Sequence, residues 1–152
     1  MLRKLIKYTF AFKVVKYIII AILFSNLHAQ FKEATISFDD RLLRDDEKSS
    51  LFNLNNNIKK FYVDTVWNDE YRDLELNLNI QIIFEGNANA GSSEAFLIQS
   101  LFSNNIDLHF FDKGSQFSLS QNSSLYYDSV YYDPLSSLLG FYGNIIALIC
   151  AF

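Results

Sequence analysis

Residues that build reactive centres are scarce in this 152-residue chain. Cys150 is the single cysteine, so the chain can form no internal disulfide and no zinc site made of several cysteines. The two histidines are His28 and His109, and His28 lies in a segment that is interpreted below as a removable signal peptide. One remaining histidine cannot supply a multi-histidine metal site. The sequence therefore predicts a protein without a metal centre, without a cofactor and without catalytic residues.

Basic residues are scarce beyond residue 29. The first 29 residues hold 5 of the 13 basic residues and no acidic one, which leaves 8 basic against 17 acidic residues, a formal charge of −9. Because nucleic-acid binding needs concentrated lysine and arginine, the sequence predicts no nucleic-acid partner. Half of the residues are apolar and 16% are aromatic. That composition is enough for the packed core of one domain.

The N-terminal segment has the order of a secretory signal peptide. A basic stretch, Met1–Lys16, precedes the short apolar run Tyr17–Phe24. Ala29 then supplies a small residue for cleavage before Gln30. The apolar run is well short of the roughly 20 residues that span a membrane. The segment therefore predicts an exported protein.

This interpretation divides the chain into a signal peptide, residues 1–29, and a single mature domain, residues 30–152. The predicted location is the periplasm or the periphery of the outer membrane. An uncleaved signal anchor is the alternative, in which the apolar segment extends back through Phe10–Val15. Contact with the membrane is thus predicted to be peripheral, or to run through an uncleaved signal.

The strongest strand signal is the alternation of apolar and polar residues from Leu74 to Phe84. Side chains of a strand point alternately to its two faces, so this segment has one apolar and one mostly polar face. The turn Gly86–Ser93 and the apolar segment Glu94–Phe102 predict an antiparallel hairpin. Shorter alternations predict further strands at Glu33–Asp39, Ile106–Phe111 and, as an edge strand, Phe117–Leu125.

Two segments, Glu47–Val66 and Leu135–Phe152, have apolar residues at the spacing of a helix. An acidic cluster, residues 45–47, favours the positive end of the first helix. Asp133-Pro134 is typical of the start of the second. We therefore predict an α+β fold, in which an antiparallel sheet of four to five strands packs against two helices.

The second helix has no charged residue. As a core helix, its Gly140 and Gly143 would allow close approach to the sheet. A membrane span is the alternative, although the segment is marginal in length and lacks basic flanking residues.

The candidate functional residues are few. Two tyrosine pairs could form a partner surface or a glycan platform, or could pack over an edge of the sheet: Tyr126, Tyr127, Tyr131 and Tyr132. His109 is predicted on a solvent face. Glu75 and Glu94 could face each other across a hairpin as the paired acids of a hydrolase, but acids on a solvent face rarely have the pocket that such chemistry needs.

Several blocks of the chain resemble the DUF4835 family of PorD-like secreted proteins from Bacteroidetes, which is associated with the type IX secretion system. The resemblance runs from about Ile36 to Ile149 and depends on the order and spacing of six blocks: Phe61–Trp67, Leu74–Phe84, Phe96–Ser100, Phe111–Lys113, Phe117–Leu119 and Ser136–Ile146. The chain departs from the family at Leu101-Phe102, where members tend to have Arg-Pro. It also ends where members continue, which predicts a truncated form.

The resemblance implies an accessory role at the cell envelope and no chemistry. The implied partners are protein components of the envelope or of the secretion and gliding machinery. The alternative function, which follows from the residues, is a periplasmic or surface binding module for glycan or peptide. It would use an exposed sheet face or the tyrosine pairs.

Overall fold

A computed structural model of the chain describes residues 31–68, 74–90, 93–118, 125–128 and 130–151. The described elements form an α+β arrangement of one four-stranded sheet with helices. In chain order they are β1 (Phe31–Asp39), α1 (Asp45–Ser50), α2 (Leu54–Asp64), β2 (Leu76–Ala90), β3 (Ser93–Ser103), β4 (His109–Ser118) and α3 (Pro134–Ile149). The predicted fold class is thus confirmed in its coarse form.

The sheet is mixed, and the prediction of a purely antiparallel sheet was wrong. Its strand order is β1-β2-β3-β4, and β1 runs parallel to β2, with Ile36 beside Ile80. β3 and β4 continue the sheet as antiparallel neighbours. The physical reason lies in the connection, since α1 and α2 carry the chain back to the start of the sheet before β2 begins. Such a strand–helix–strand crossover joins parallel strands.

The alternation that predicted the central strand is confirmed. Leu78, Ile80, Ile82 and Phe84 on β2 are almost completely buried on the face that the helices cover. Polar residues such as Gln81 lie on the opposite face. The return strand β3 adds buried residues to the same apolar face, among them Phe96, Ile98 and Phe102.

The first predicted helix is two helices. α1 ends at Ser50 and α2 begins at Leu54, with a turn between them in which the backbone N–H of Leu51 donates to the carbonyl of Lys48. The weak helix propensity of Ser49, Ser50 and Asn53 accounts for the break. The predicted role of the acidic cluster is confirmed, because all three acids lie in the first turn of α1.

The third predicted strand begins later than predicted. β4 starts at His109, and Ile106 lies in the preceding turn with its side chain exposed. Near its middle, β4 has an irregularity opposite Ile98 and Gln99, where Gly114 adopts a φ of 80°. Glycine tolerates that left-handed conformation better than other residues, so a β-bulge forms there. Phe117, the first residue of the predicted edge strand Phe117–Leu125, belongs to β4, and residues 119–124 of that prediction lie outside the described part.

Helices α2 and α3 cover the same face of the sheet. Ile58, Phe61 and Tyr62 of α2 enter the core, and Leu139 and Ile146 of α3 do so too. The Tyr62 hydroxyl donates to the carbonyl of Leu139 at 2.8 Å and so ties the two helices together. Tyr142 of α3 stacks on Phe102 of β3, with ring centroids 4.3 Å apart. Its hydroxyl donates to Asp112 Oδ2 at 3.2 Å.

The start of α3 is confirmed at Asp133-Pro134. The Asp133 carboxylate accepts the backbone N–H of Ser136 at 2.8 Å, and Pro134 occupies the first helical turn. The helix is 16 residues long, with seven buried residues facing the rest of the fold. Within the described part of the chain, no helix is both long enough and apolar enough to cross a bilayer.

Glu47 is the buried carboxylate of α1. We predict that it stabilises the fold at neutral pH and that this stabilisation is lost in acid. It accepts the backbone N–H of Arg44 at 2.7 Å, the Arg44 guanidinium at 2.9 Å and the Asn87 amide at 3.2 Å. These contacts, led by the backbone hydrogen bond, lower the pKa of Glu47 below its ordinary 4.5. A carboxyl whose pKa is lower in the folded state stabilises the fold above pH 4.5, and this contribution is lost as the pH falls below that value.

The measurement is the free energy of unfolding in urea between pH 7 and pH 3 for the wild type and for Glu47→Gln. The variant keeps an acceptor for the N–H of Arg44 and removes the charge, so its stability should fall less steeply below pH 4.5. Equal slopes for the two proteins would contradict this role of Glu47.

Candidate functional site

The tyrosine pairs lie on a surface segment that a local turn holds in place. The Asp128 carboxylate accepts the backbone N–H groups of Val130 at 2.7 Å and Tyr131 at 3.0 Å. These two backbone hydrogen bonds lower the pKa of Asp128. An aspartate that bonds its own following backbone in this way fixes a turn. The turn therefore sets the relative positions of the first and the second tyrosine pair.

All four tyrosines are exposed. Tyr132 is 75% exposed, Tyr131 65%, Tyr126 58% and Tyr127 42%. Val130, between the pairs, is 92% exposed. The two predicted alternatives, a partner surface and packing over a sheet edge, can therefore be compared for each tyrosine. Tyr126, Tyr131 and Tyr132 have the exposure that a partner surface needs, whereas Tyr127 is partly packed, as described next.

Tyr127 is the anchor of the segment. Its ring lies 5.6 Å from that of Trp67, which belongs to a buried cluster with the rings of Phe31, Phe61 and Tyr62. The other contact is with α3, where a Cβ placed on Gly140 would lie 2.6 Å from the Tyr127 ring. The absence of a side chain at Gly140 thus allows the tyrosine to lie directly on the helix.

The two glycines of α3 were predicted to allow close approach to the sheet, and this prediction was wrong. They allow close approach to aromatic rings instead. A Cβ on Gly143 would lie 2.5 Å from the ring of Trp67. Trp67 follows α2 and is only 8% exposed, held by an indole N–H that donates to the carbonyl of Tyr62 at 3.1 Å. The glycines thus fit α3 against the aromatic residues that join it to α2.

We predict that Gly143→Ala destabilises the fold more than Gly140→Ala does. Both changes gain about 1 kcal/mol of helix propensity. At Gly143 the methyl group would overlap the buried Trp67, and overpacking costs about 1–3 kcal/mol. At Gly140 the neighbouring Tyr127 is partly exposed and can turn away. Thermal unfolding of the two variants tests this, and a melting temperature for Gly143→Ala above that of Gly140→Ala would contradict it.

Two grooves flank Tyr127. The first, of about 460 Å³, lies between α2 and the Leu125–Tyr127 segment. The second, of about 440 Å³, lies between Tyr127 and α3, and Phe141, Ile145 and Leu148 line it. Both volumes fall in the range of about 300–1,000 Å³ that is common for small-ligand sites. Tyr127 is thus shared by two concave surfaces.

The first groove, which we call the tyrosine groove, combines aromatic and polar groups. Its lining consists of Asn57, Lys60, Phe61, Asp64, Thr65, Leu125, Tyr126 and Tyr127. The Thr65 hydroxyl is engaged within α2, where it donates to the carbonyl of Phe61 at 2.6 Å. In the described structure the side chains of Asn57, Lys60 and Asp64 make no hydrogen bond or ion pair with the protein. Three polar groups are therefore available to a ligand.

Sequence reasoning found the tyrosines of this groove and missed its polar wall. Helical periodicity predicted a helix over this segment, but it gave no functional role to Asn57, Lys60 or Asp64. Their spacing of three and four residues does place them on one side of α2, and this was the signal that could have found them. Which loop faces that side could not be read from helical periodicity.

The remaining candidate residues are His109, Glu75 and Glu94. His109 is exposed at the first position of β4, as predicted. Glu75 pairs with Lys32 at 2.6 Å just before β2, whereas the backbone of Glu94 lies opposite Asn89 near the other end of the hairpin. The register therefore separates the two acids proposed as a hydrolase pair. Among the described residues there is no cluster of three or more metal-ligating side chains.

The predicted cleavage site, Ala29 and Gln30, lies outside the described residues. Comparison with models of protein families, with curated proteins and with solved structures finds no match for this chain. Its surface and its sequence are therefore the basis for a functional proposal.

Proposed function

We propose that this chain is a non-enzymatic, exported protein of the cell envelope that acts as an accessory component of a type IX secretion and gliding apparatus. The resemblance of its sequence blocks to the PorD-like family and the signal-like N-terminal segment support this role. The structural observation that supports it is the exposure of Tyr126, Tyr131 and Tyr132 beside an uncharged helix. Tyrosine is enriched at protein interfaces, because it combines a large apolar ring with a polar group.

The proposed partner is a protein of the envelope or of the secretion machinery. The surface that would receive it includes Val130 and, on α3, Phe141, which are 92% and 58% exposed. Aromatic residues contribute disproportionately to binding energy when a partner excludes water from them. A partner bound here would cover apolar area that the isolated chain leaves in contact with water.

Gene deletion followed by complementation tests this role. Deletion should impair export of type IX cargo, and the wild-type gene should restore it. A gene with Tyr126→Ser, Tyr131→Ser and Tyr132→Ser should restore export poorly, although the protein accumulates normally. Phe52→Ser is the matched control, since Phe52 is an exposed aromatic residue in the α1–α2 turn. Normal cargo export in the deletion strain would contradict the proposal.

A second candidate function is a binding module for glycan or peptide, and the tyrosine groove favours it. The groove is concave, and three aromatic residues line it: Phe61, Tyr126 and Tyr127. Three polar side chains of its α2 wall have no partner among the described residues. The outer face of the sheet, the other predicted surface, has fewer aromatic groups. There Phe111 is 49% exposed, and the Lys113 ammonium lies 5.6 Å from its ring centroid. Of the two surfaces we favour the groove, because it is concave and carries more aromatic residues.

A further inference from the structure

We infer that the tyrosine groove binds an uncharged carbohydrate. This inference rests on the second candidate function and adds the class of ligand. Its basis is the chemistry of the two walls. Tyr126 and Tyr127 lie on one side, and α2 presents Asn57, Lys60 and Asp64 on the other. The side chains of these two walls indicate three properties of the ligand.

The first property is the absence of net charge. Among the described residues that line the groove, Lys60 is the one cation and Asp64 the one anion, so neither sign is in excess there. An anionic ligand would meet the carboxylate of Asp64, and a cationic ligand would meet the ammonium of Lys60. Sites for phosphate or carboxylate use several donors of one sign, usually with arginine. A neutral ligand satisfies both groups by hydrogen bonding.

The second property is a mixture of donors and acceptors. Lysine only donates, ionised aspartate only accepts, and the asparagine amide does both. A sugar hydroxyl also donates and accepts, so the hydroxyl groups of a short saccharide can satisfy all three side chains. Within the described part of the chain, the side chains of Lys60 and Asp64 make no hydrogen bond or ion pair that a ligand would have to break, although the two residues are one helical turn apart.

The third property is an apolar face. Tyr126 is 58% exposed and Tyr127 42% exposed, so both leave ring surface in contact with water. A pyranose ring has a face of C–H groups that can cover an aromatic ring, while its hydroxyl groups point outward to the polar wall. The tyrosine hydroxyl adds a further polar contact. A blocked peptide offers one backbone donor and one backbone acceptor per residue, so it has fewer polar groups for the three side chains of α2 than a saccharide has.

The structure also provides an internal reporter. Trp67 is the only tryptophan of the chain, and its ring lies 5.6 Å from that of Tyr127. Occupation of the groove should change the environment of Tyr127 and therefore the fluorescence of Trp67. The side-chain amide of Asn57 gives a second, independent signal in a ¹H–¹⁵N spectrum.

The experiment titrates the purified protein with maltotriose, cellotriose and tri-N-acetylchitotriose. We expect at least one of them to cause a saturable change in Trp67 fluorescence and in the Asn57 amide signal, with a dissociation constant of about 1 mM. Raising the salt concentration should leave the affinity unchanged, because binding of a neutral ligand is not screened. Asp64→Ala and Tyr126→Ala should each weaken binding about tenfold.

Tyr132→Ala is the matched control, since Tyr132 is 75% exposed and does not line the groove. It should bind with wild-type affinity. Because the altered residues are exposed, circular dichroism and thermal unfolding should show that all three variants are folded. Binding that is unaffected by Asp64→Ala and Tyr126→Ala would overturn the inference. So would saturable binding of a blocked alanine tripeptide, or of a sulfated trisaccharide, without binding of any neutral saccharide.

Failure of this inference and failure of the secretion role are distinguishable. If no saccharide binds but deletion impairs cargo export, the carbohydrate assignment is wrong and the accessory role stands. If a saccharide binds but export is normal in the deletion strain, the groove is a sugar site in a protein with another role.

Discussion

Replacing Tyr62 with alanine should cost about 4 kcal/mol of unfolding free energy, the largest loss that we expect from a single substitution in this fold. Tyr62 is fully buried and lies among the rings of Phe31, Phe61 and Trp67. Removal of its ring leaves a cavity at the junction of α2 and α3. The carbonyl of Leu139 also loses its hydrogen-bond donor.

Tyr62→Phe separates the two contributions. It keeps the ring and removes only the hydroxyl, so it should cost about 1–2 kcal/mol. Urea unfolding at neutral pH measures both values. Burial raises the pKa of Tyr62 well above 10, so at neutral pH the hydroxyl keeps the proton that it donates. A loss for Tyr62→Phe as large as that for Tyr62→Ala would show that ring packing does not hold α2 and α3 together.

Replacing Asn104 with alanine should cost about 2–3 kcal/mol, because one side chain organises the β3–β4 turn. Its Oδ1 accepts the backbone N–H groups of Ile106, Asp107 and Leu108 at 3.0–3.1 Å. Its Nδ2 donates to the Asp107 carboxylate at 3.0 Å. Asn104 is only 8% exposed, so water replaces these bonds poorly.

Asn105→Gly is the control in the same turn. Asn105 has a φ of 62°, a conformation that glycine adopts without strain, so this change should alter stability by less than about 0.5 kcal/mol. Thermal unfolding of both variants measures the difference. If Asn104→Ala were as stable as Asn105→Gly, the hydrogen bonds of Asn104 would not be what fixes the turn.

The elements that sequence periodicity predicted well are those whose pattern is strong and local. The alternation from Leu74 to Phe84 defined the buried face of β2, and Asp133-Pro134 defined the start of α3. These signals arise from properties of the chain itself, namely the two-residue repeat of a strand and the capping of a helix. They hold whatever the neighbouring elements are.

The errors arose where long-range packing decides. The parallel pairing of β1 was missed, although the order strand, helix, strand is typical of a parallel crossover. The roles of Gly140 and Gly143 were also misjudged, since no local pattern shows that Trp67 and Tyr127 face them. The polar wall of the tyrosine groove was not predicted either. It depends on where residues 125–127 lie against α2, which no local pattern shows.

The tyrosine groove also relates the fold to the proposed roles. Tyr127 contacts Trp67 and lies on Gly140, so its position depends on the packing of both α2 and α3. Substitutions in the core, such as Tyr62→Ala, should therefore disturb the groove as well as the stability. Substitutions of exposed groove residues, such as Asp64→Ala, should affect binding alone. This difference allows loss of folding to be separated from loss of function.

The most direct test of the proposed envelope role is to determine the mature N-terminus and the cellular fraction of the tagged protein. We predict a mass that corresponds to a chain beginning at Gln30, found in the periplasmic or peripheral envelope fraction. Pull-down against secretion-machinery proteins would then follow. A chain that begins at Met1 and stays with the inner membrane or the cytoplasm would contradict export, and with it the proposed accessory role.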